Sequence, residues 1–270
     1  MIKNIHKTMN PFLKKKGIIV KTFTNLKLLK EVTKIIKIHF SKSDEYYCQL
    51  PIEKFHNIAL KCQNHINKIN VQKIFFDSEK KFIRKIFKND TPMISSVATL
   101  RVVRPQNKIF KNGEALGWHR ETFYGKNKYI HHGMNVWIPV LNVSKNNNLG
   151  YIPKSHLIDD KKIIRRKFKP DGYVVKKFSS AHKLGFPYAP KKIISGVNIK
   201  SEDKINVQRK SYAIFSQLLV HGNAQNLSNK IRYAINLGIV PKSKLIRNRK
   251  IDKRKFNLKN KKNLLYKELH

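Results

Sequence analysis

Residues 212–240 read YAIFSQLLVHGNAQNLSNKIRYAINLGIV, and this stretch decides the fold class. It contains two β-rich apolar runs, residues 212–220 and 231–240, on either side of a polar, turn-forming linker. Short strands separated by polar loops are typical of antiparallel barrels and jelly rolls. Four further runs of this kind precede them, at residues 97–103, 134–141, 149–152 and 192–199. The sequence from residue 95 onwards therefore predicts a jelly-roll core.

The first ninety residues have a different pattern, a short strand followed by helices. Residues 17–20 are apolar and predict the strand. Thr24 or Asn25 is then expected to cap a helix, because apolar residues recur every three or four positions from Leu26 to Phe40. Pro51 is expected to open a second helix, and residues 71–87 have the spacing of a third. We therefore predict a mainly β protein with N-terminal helices.

The composition excludes several classes of protein. The chain has 270 residues, of which 40% are hydrophobic and 10% aromatic, so it can bury a core despite a formal net charge of +42. Cys48 and Cys62 match neither a disulfide framework nor a zinc site. Residues 1–16 lack the apolar stretch of a signal peptide, and no run is long enough for a membrane span. We expect a cytoplasmic location.

The positive charge comes from 47 Lys and only 11 Arg. Arg is the better phosphate ligand, so this bias is typical of AT-rich codon usage, with attraction to an anionic partner as the alternative. Residues 91–160 carry nine basic and four acidic side chains, whereas the last thirty residues carry twelve and two. The excess therefore lies outside the region of the chemical motifs, and nucleic-acid binding is a rival interpretation.

The segment 116–123, LGWHRETF, offers His119 and Glu121 as candidate metal ligands. Side chains two residues apart on a strand point to the same face. His221 follows about a hundred residues later, and two His with one carboxylate are the ligand set of non-haem Fe(II) oxygenases. Arg232, between apolar neighbours, has the chemistry to hold one carboxylate of a diacid that chelates the iron through its other end. An isolated H-x-E is weak, so the argument depends on all four residues.

With these residues the chain resembles the phytanoyl-CoA dioxygenase (PhyH) family of Fe(II)/2-oxoglutarate oxygenases, over roughly residues 17–240. The similar motifs are WHRE at 118–121, NVWIP at 135–139, NLGYIPKSH at 148–156 and HGNAQNLSNKIR at 221–232. Their order and approximate spacing are more specific than any one motif. A closer resemblance is to bacterial members of the family from sporadic carbohydrate gene clusters.

The resemblance implies a double-stranded β-helix core of the jelly-roll, cupin-like kind that uses Fe(II), 2-oxoglutarate and O2. The implied metal ligands and catalytic residues are His119, Glu121 and His221, and the implied cosubstrate pocket contains Arg232, Trp137 and Asn135. Residues 150–156 match a segment that shapes the site without binding metal. The implied oxygenase domain is 1–240, with a helical part at about 17–90 and a β-helix core at about 95–240. A basic tail, 241–270, follows and is expected to be partly helical around 264–269.

Three positions depart from the family pattern. Glu121 stands where Asp is commoner, so the metal would lie one methylene further from the backbone. Ala234 replaces a Ser that often contributes a hydroxyl beside the cosubstrate. Lys154 replaces a usual Gly in the Pro153–His156 corner, so we expect that turn to differ locally.

The expected reaction is hydroxylation of a small polar or anionic metabolite, such as a carbohydrate or its precursor. Of Arg101 and Arg104, three apart on a predicted strand, at most one can face the cavity. The alternatives are desaturation or epimerisation with the same cofactors, a catalytically inactive basic scaffold, and a nucleic-acid-binding protein, for which we find no recognisable motif.

Overall fold

The structure is a computed structural model that describes residues 11–88, 90–106, 117–124, 128–167, 175–187, 191–207, 210–222, 225–246 and 266–268. The helices are α1 (Pro11–Lys16), α2 (Lys27–His39), α3 (Asp44–Gln49), α4 (Ile52–Lys68), α5 (Val71–Phe87), α6 (Ser180–Lys183) and α7 (Lys242–Ile246). The strands are β1 (Ile18–Thr22), β2 (Pro92–Ser95), β3 (Thr99–Val103), β4 (Met134–Leu141), β5 (Gly150–Tyr151), β6 (Ile164–Lys167), β7 (Lys191–Ser195), β8 (Asp203–Lys204), β9 (Ser211–Ser216), β10 (His221–Gly222), β11 (Arg232–Pro241) and β12 (Tyr266–Glu268). None of the helices in these ranges is long and apolar enough to cross a membrane.

The strands form one large and two small antiparallel sheets. The large sheet has the order β1-β9-β4-β11-β2-β12, and β3 also pairs with β11. The smaller sheets are β10-β5-β8 and β6-β7. Tyr151 of the small sheet packs in one apolar cluster with Trp137, Phe215 and Ala234 of the large sheet. The inner face of the large sheet therefore faces β5, and the space between the sheets is the interior of the jelly roll.

The outer face of the large sheet is covered by helices. Ile36 of α2, Phe55 of α4 and Phe75 of α5 lie in one buried cluster with Val136 and Ile235 of the sheet. Since both faces of the sheet are buried, its strands read as continuous apolar runs, and all six residues of β9 are buried. The predicted strand at 17–20, the helix that follows it, the helix after Pro51 and the helix at 71–87 are confirmed as β1, α2, α4 and α5.

One predicted strand was wrong in an informative way. The apolar run 212–220 is not a single strand, because β9 ends at Ser216 and a turn follows in which the Leu219 amide donates to the Ser216 carbonyl at 2.9 Å. This turn carries the chain from the large sheet to the small one, where His221 begins β10. The run hides the turn because residues on both sides of it, such as Phe215 and Leu219, are equally buried.

The described parts of the predicted basic tail pack on the large sheet. Helix α7 contacts β11, and the Lys242 amide donates to the Thr91 carbonyl at 2.9 Å. Tyr266–Glu268 is a strand paired with β2, so the helix expected around 264–269 is corrected to a strand over those three residues. The basic residues from 247 to 265 lie outside the described ranges.

Candidate metal centre

The two histidines of the candidate centre face each other across a single antiparallel bridge. The His119 amide donates to the His221 carbonyl at 2.9 Å, and the His221 amide donates to the His119 carbonyl at 2.8 Å. The prediction that Glu121 lies on a strand was wrong, because Glu121 begins a short 3-10 helix, Glu121–Phe123. Arg120 between them is extended, with φ −134° and ψ 159°, so His119 and Glu121 still point to one side.

The structure brings the three predicted ligands together in a buried cluster. One ligand atom of each of His119, Glu121 and His221 lies within 4.8 Å of the others. Nε2 of His221 is 3.7 Å from Oε1 of Glu121, and the two imidazole rings are 4.4 Å apart between centroids. Both histidines are buried, whereas Glu121 is half-buried. The donor set is therefore two imidazoles and one carboxylate converging on one point.

Backbone carbonyls fix the tautomer of both imidazoles. Nδ1 of His119 is 2.8 Å from the Gly117 carbonyl, and Nδ1 of His221 is 2.9 Å from the Leu219 carbonyl. A carbonyl only accepts, so Nδ1 must carry the proton in each ring. Nε2 of each ring is then an unprotonated lone pair, which is the form that binds a metal ion.

Burial keeps both histidines neutral. Burial, together with the neighbouring His221, lowers the pKa of His119 to about 3. Burial also lowers the pKa of His221 to about 4. Both rings are therefore uncharged at pH 7, and protons do not compete with a metal for Nε2.

A chain of two amides orients the Glu121 carboxylate. Nδ2 of Asn135 donates to Oε1 of Glu121 at 2.7 Å, and Nε2 of Gln217 donates to Oδ1 of Asn135 at 3.1 Å. The backbone of Gln217 is held in turn, because its N–H donates to the Gly133 carbonyl at 3.0 Å. The structure thus places Asn135, predicted to face the cosubstrate, against Glu121. Sequence reasoning missed Gln217, although the polar pair Ser216 and Gln217 inside an apolar run was a usable signal.

Arg232 and Trp137 lie on the inner face of the large sheet, as the sequence predicts. In the pairing of β11 with β4, Asn236 is opposite Trp137 and Gly238 is opposite Asn135. Arg232 alternates with Asn236 and Gly238 along β11, so it lies on the same face of the sheet as Trp137 and Asn135. Arg232 is 3% exposed, and its Nη1 donates to the Asn147 carbonyl at 2.6 Å. Burial, with the charge of Arg101, lowers the pKa of Arg232 to about 10, so the side chain stays cationic at neutral pH.

The loop before Arg232 is organised by a buried asparagine. Nδ2 of Asn226 donates to the carbonyls of Val103, at 2.9 Å, and Lys230, at 2.7 Å. Its Oδ1 accepts from Asn147 at 3.1 Å and from the Ser228 hydroxyl at 2.7 Å. Asn226 therefore links β3 to the loop and to Asn147, whose carbonyl accepts from Arg232.

The corner at 153–156 supports the metal centre from outside. The Ser155 hydroxyl accepts from the Val220 amide at 2.8 Å, next to His221. Arg120 is fully buried, donates to the Ser155 carbonyl and pairs with Asp160 at 2.7 Å. Lys154 has φ 60° and ψ 1°, a left-handed conformation that glycine favours, so the expected local change of turn is not needed.

Two further side chains reach the cluster. The Tyr124 ring is 5.5 Å from the His119 ring, and burial together with the Glu121 charge raises the pKa of Tyr124 to about 12. Arg101 enters the cavity, whereas Arg104 turns to the helices and donates to the Leu50 carbonyl at 2.8 Å. This confirms that at most one of the two arginines faces the cavity. Tyr124 was missed, because nothing in the sequence separates it from the other aromatic residues.

No protein-family model and no curated protein sequence matches the chain. Several solved structures resemble it in fold. EvdO2 from Micromonospora carbonacea var. aurantiaca, solved with 2-oxoglutarate, is 10% identical with a TM-score of 0.56, covering 88% of this chain and 90% of that one. The non-haem monooxygenase ThoJ, without ligands, is 12% identical with a TM-score of 0.51, covering 88% and 77%.

A third solved structure, EctD from S. alaskensis with 2-oxoglutarate and 5-hydroxyectoine, is 12% identical with a TM-score of 0.50, covering 86% of this chain and 74% of that one. At these identities the likeness shows the fold alone. The predicted fold class, mainly β with N-terminal helices around a double-stranded β-helix core, is confirmed.

Proposed function

We propose that the chain is an Fe(II)- and 2-oxoglutarate-dependent dioxygenase of the PhyH-like kind that hydroxylates a small polar or anionic metabolite. The observation that carries the proposal is the convergence of His119, Glu121 and His221, with ligand atoms within 4.8 Å of one another. A buried arginine lies on the same inner wall of the jelly roll. EvdO2 and EctD, which share the fold, were solved with 2-oxoglutarate, and this supports the choice of cosubstrate.

The residues fit a ferrous ion. Two neutral imidazoles with Nδ1 committed to carbonyls, and one carboxylate, would hold the ion from one side and leave room for other ligands. When bound, iron with 2-oxoglutarate and O2 supplies oxidation of an unactivated C–H bond, with succinate and CO2 as co-products. The presence of Glu121 favours hydroxylation over halogenation, since the resemblance implies that related halogenases lack this carboxylate.

The residues also fit a dicarboxylic cosubstrate. Arg232 is a buried cation whose fork suits the distal carboxylate of 2-oxoglutarate. Trp137 and Ala234 lie on the same wall as Arg232 and pack together in one apolar cluster, so an aromatic face and a small side chain are present where the carbon chain would lie. The apolar residues around them, such as Phe215, 4.8 Å from the His221 ring, exclude water from the reacting atoms.

Calorimetry with a redox-stable metal tests this proposal. Metal-free protein should bind one equivalent of Co(II), and 2-oxoglutarate should bind only after the metal. His119→Ala should lose Co(II) binding, whereas Arg166→Gln, which removes an exposed charge on β6, should change neither affinity. Equal Co(II) affinity in wild type and His119→Ala would contradict the assignment of the ligands.

A further inference from the structure

Arg101 lies inside the jelly roll, on the same wall as Arg232. In the pairing of β3 with β11, Val103 is opposite Arg232 and Arg101 is opposite Ala234. Directly opposite residues of an antiparallel pair share a face. Leu100 and Val102, which alternate with Arg101, pack instead in the helical cluster on the outer side. The Arg101 side chain therefore points into the interior.

The end of the Arg101 side chain is held by a short segment after α6. Its Nη1 donates to the Leu184 carbonyl at 3.1 Å, its Nη2 donates to the Gly185 carbonyl at 3.4 Å, and the guanidinium lies 5.5 Å from the centre of the Phe186 ring. Gly185 has φ 82°, and a Cβ there would lie 3.2 Å from Arg101 Nη2. A glycine at this position thus lets the backbone approach the guanidinium closely.

Glu121 acts on the charge of Arg101 from beyond ion-pair distance, and its carboxylate opposes the burial that lowers the pKa of Arg101. Among the residues that the structure describes, no carboxylate lies within ion-pair distance of it. Carbonyl dipoles orient a guanidinium but do not neutralise it, and burial lowers the pKa of Arg101. A buried charge without a partner is costly, so the site favours an anion beside Arg101.

A charge count of the proposed loaded centre leaves one positive charge without a partner. In the proposed loaded centre, the two charges of Fe(II) would balance those of 2-oxoglutarate, and the single carboxylate of Glu121 can balance only one of the two arginines, Arg101 and Arg232. His119 and His221 are neutral, so one arginine charge is left over. Arg101 is also less deeply buried than Arg232, which is 3% exposed. The remaining positive charge therefore lies towards the solvent side of the cosubstrate pocket.

We propose that Arg101, held by residues 184–186, binds a carboxylate, phosphate or sulfate group of the substrate and thereby selects anionic substrates. This inference rests on the proposed function, because it takes the iron centre as the place of reaction. Arg101 is then a specificity residue, and it directs the anionic end of the substrate to the β3 side of the metal.

Inorganic sulfate is a suitable probe, measured against chloride at matched ionic strength. Sulfate affinity is measured by calorimetry on the anaerobic Fe(II)·2-oxoglutarate protein and on the metal-free protein. Arg101→Gln should weaken sulfate binding 10-fold or more, since hydrogen bonds to charged groups contribute about 1.5–3 kcal/mol. Arg101→Lys should be intermediate, and the exposed Arg166→Gln should bind sulfate like the wild type.

The affinity for 2-oxoglutarate separates the two roles of an arginine. Arg101→Gln should bind 2-oxoglutarate within twofold of the wild-type affinity, whereas Arg232→Gln should bind it much more weakly. Unchanged sulfate affinity in Arg101→Gln, or no sulfate binding by the wild type, would overturn the inference. A loss of 2-oxoglutarate affinity as large as that of Arg232→Gln would also overturn it. If the wild type binds no iron but Arg101→Gln still binds sulfate more weakly than the wild type does, the proposed function fails while the anion site stands.

Discussion

Nδ2 of Asn135 donates a hydrogen bond to Oε1 of Glu121 at 2.7 Å, and the same oxygen lies 3.7 Å from Nε2 of His221. The side chain of Glu121 has one more rotatable bond than an aspartate, and this contact fixes the orientation of its carboxylate. The amide of Gln217 holds Asn135 in turn. Glu121 is therefore aimed at the imidazoles before any metal binds, which reduces the entropy lost on binding.

Asn135→Ala should weaken metal binding without removing a ligand. The carboxylate loses its donor and samples more rotamers, and loss of such outer contacts typically costs 10–100-fold in metal affinity. Titration of metal-free protein with Co(II) measures the effect. Asn64→Ala, at an exposed position of α4, is the matched control and should bind like the wild type. Wild-type affinity in Asn135→Ala would show that Glu121 needs no such support.

Glu121→Ala should abolish product formation, and Glu121→Asp should retain weakened metal binding. The alanine removes the anionic ligand, whereas the aspartate withdraws the oxygen by one methylene from a position set by Asn135. The measurement is 2-oxoglutarate-dependent succinate formation together with Co(II) affinity. Full turnover in Glu121→Ala would sink the ligand assignment.

Arg232→Gln should impair the cosubstrate but spare the metal. A charge-assisted bidentate contact contributes about 2–3 kcal/mol, so 2-oxoglutarate affinity should fall about 30- to 150-fold. Co(II) affinity should stay within twofold, because the hydrogen bond of Arg232 that the structure describes is to the Asn147 carbonyl and not to a metal ligand. Equal loss of both affinities would indicate that the substitution disturbs the fold instead.

The sequence predicted the elements whose pattern is local and missed those set by long-range geometry. Helical spacing located α5 at its observed bounds, and the spacing of His119 and Glu121, taken together with His221 and Arg232, singled out that pair. The break after Ser216 was missed, because the interiors of both sheets are apolar and the run contains no Gly, Pro, Asn or Asp to mark a turn. The Asn135–Gln217 contact joins residues 82 apart, and only the register of β4 with β9 brings them together.

The acid sensitivity of the helical layer should depend on His56. This ring is buried, stacks on Phe186 at 5.2 Å, and has a pKa lowered to about 4 by burial and by Arg104. Below pH 6.5 the unfolded chain takes up a proton that folded His56 binds only near pH 4. The free energy of unfolding should therefore decrease as the pH is lowered from 6.5 to 4, by about 3 kcal/mol at most.

His56→Phe keeps an aromatic ring and removes this titration. Urea unfolding of both proteins from pH 8 to pH 4 gives the difference in their free energies of unfolding. Above pH 7 the difference should be constant, because His56 is neutral in both states. From pH 6.5 down to pH 4 it should shift in favour of the variant, and a constant difference over that window would refute the role of His56.

The central claim is that the His119, Glu121 and His221 cluster binds Fe(II) and that Arg232 completes a site for 2-oxoglutarate. An anaerobic titration of metal-free protein with Fe(II) and then 2-oxoglutarate tests it most directly, through the visible charge-transfer band of the chelate. The band should appear in the wild type, disappear in His119→Ala, and require far more 2-oxoglutarate in Arg232→Gln. Absence of the band in wild-type protein, with only weak Fe(II) binding, would contradict the account.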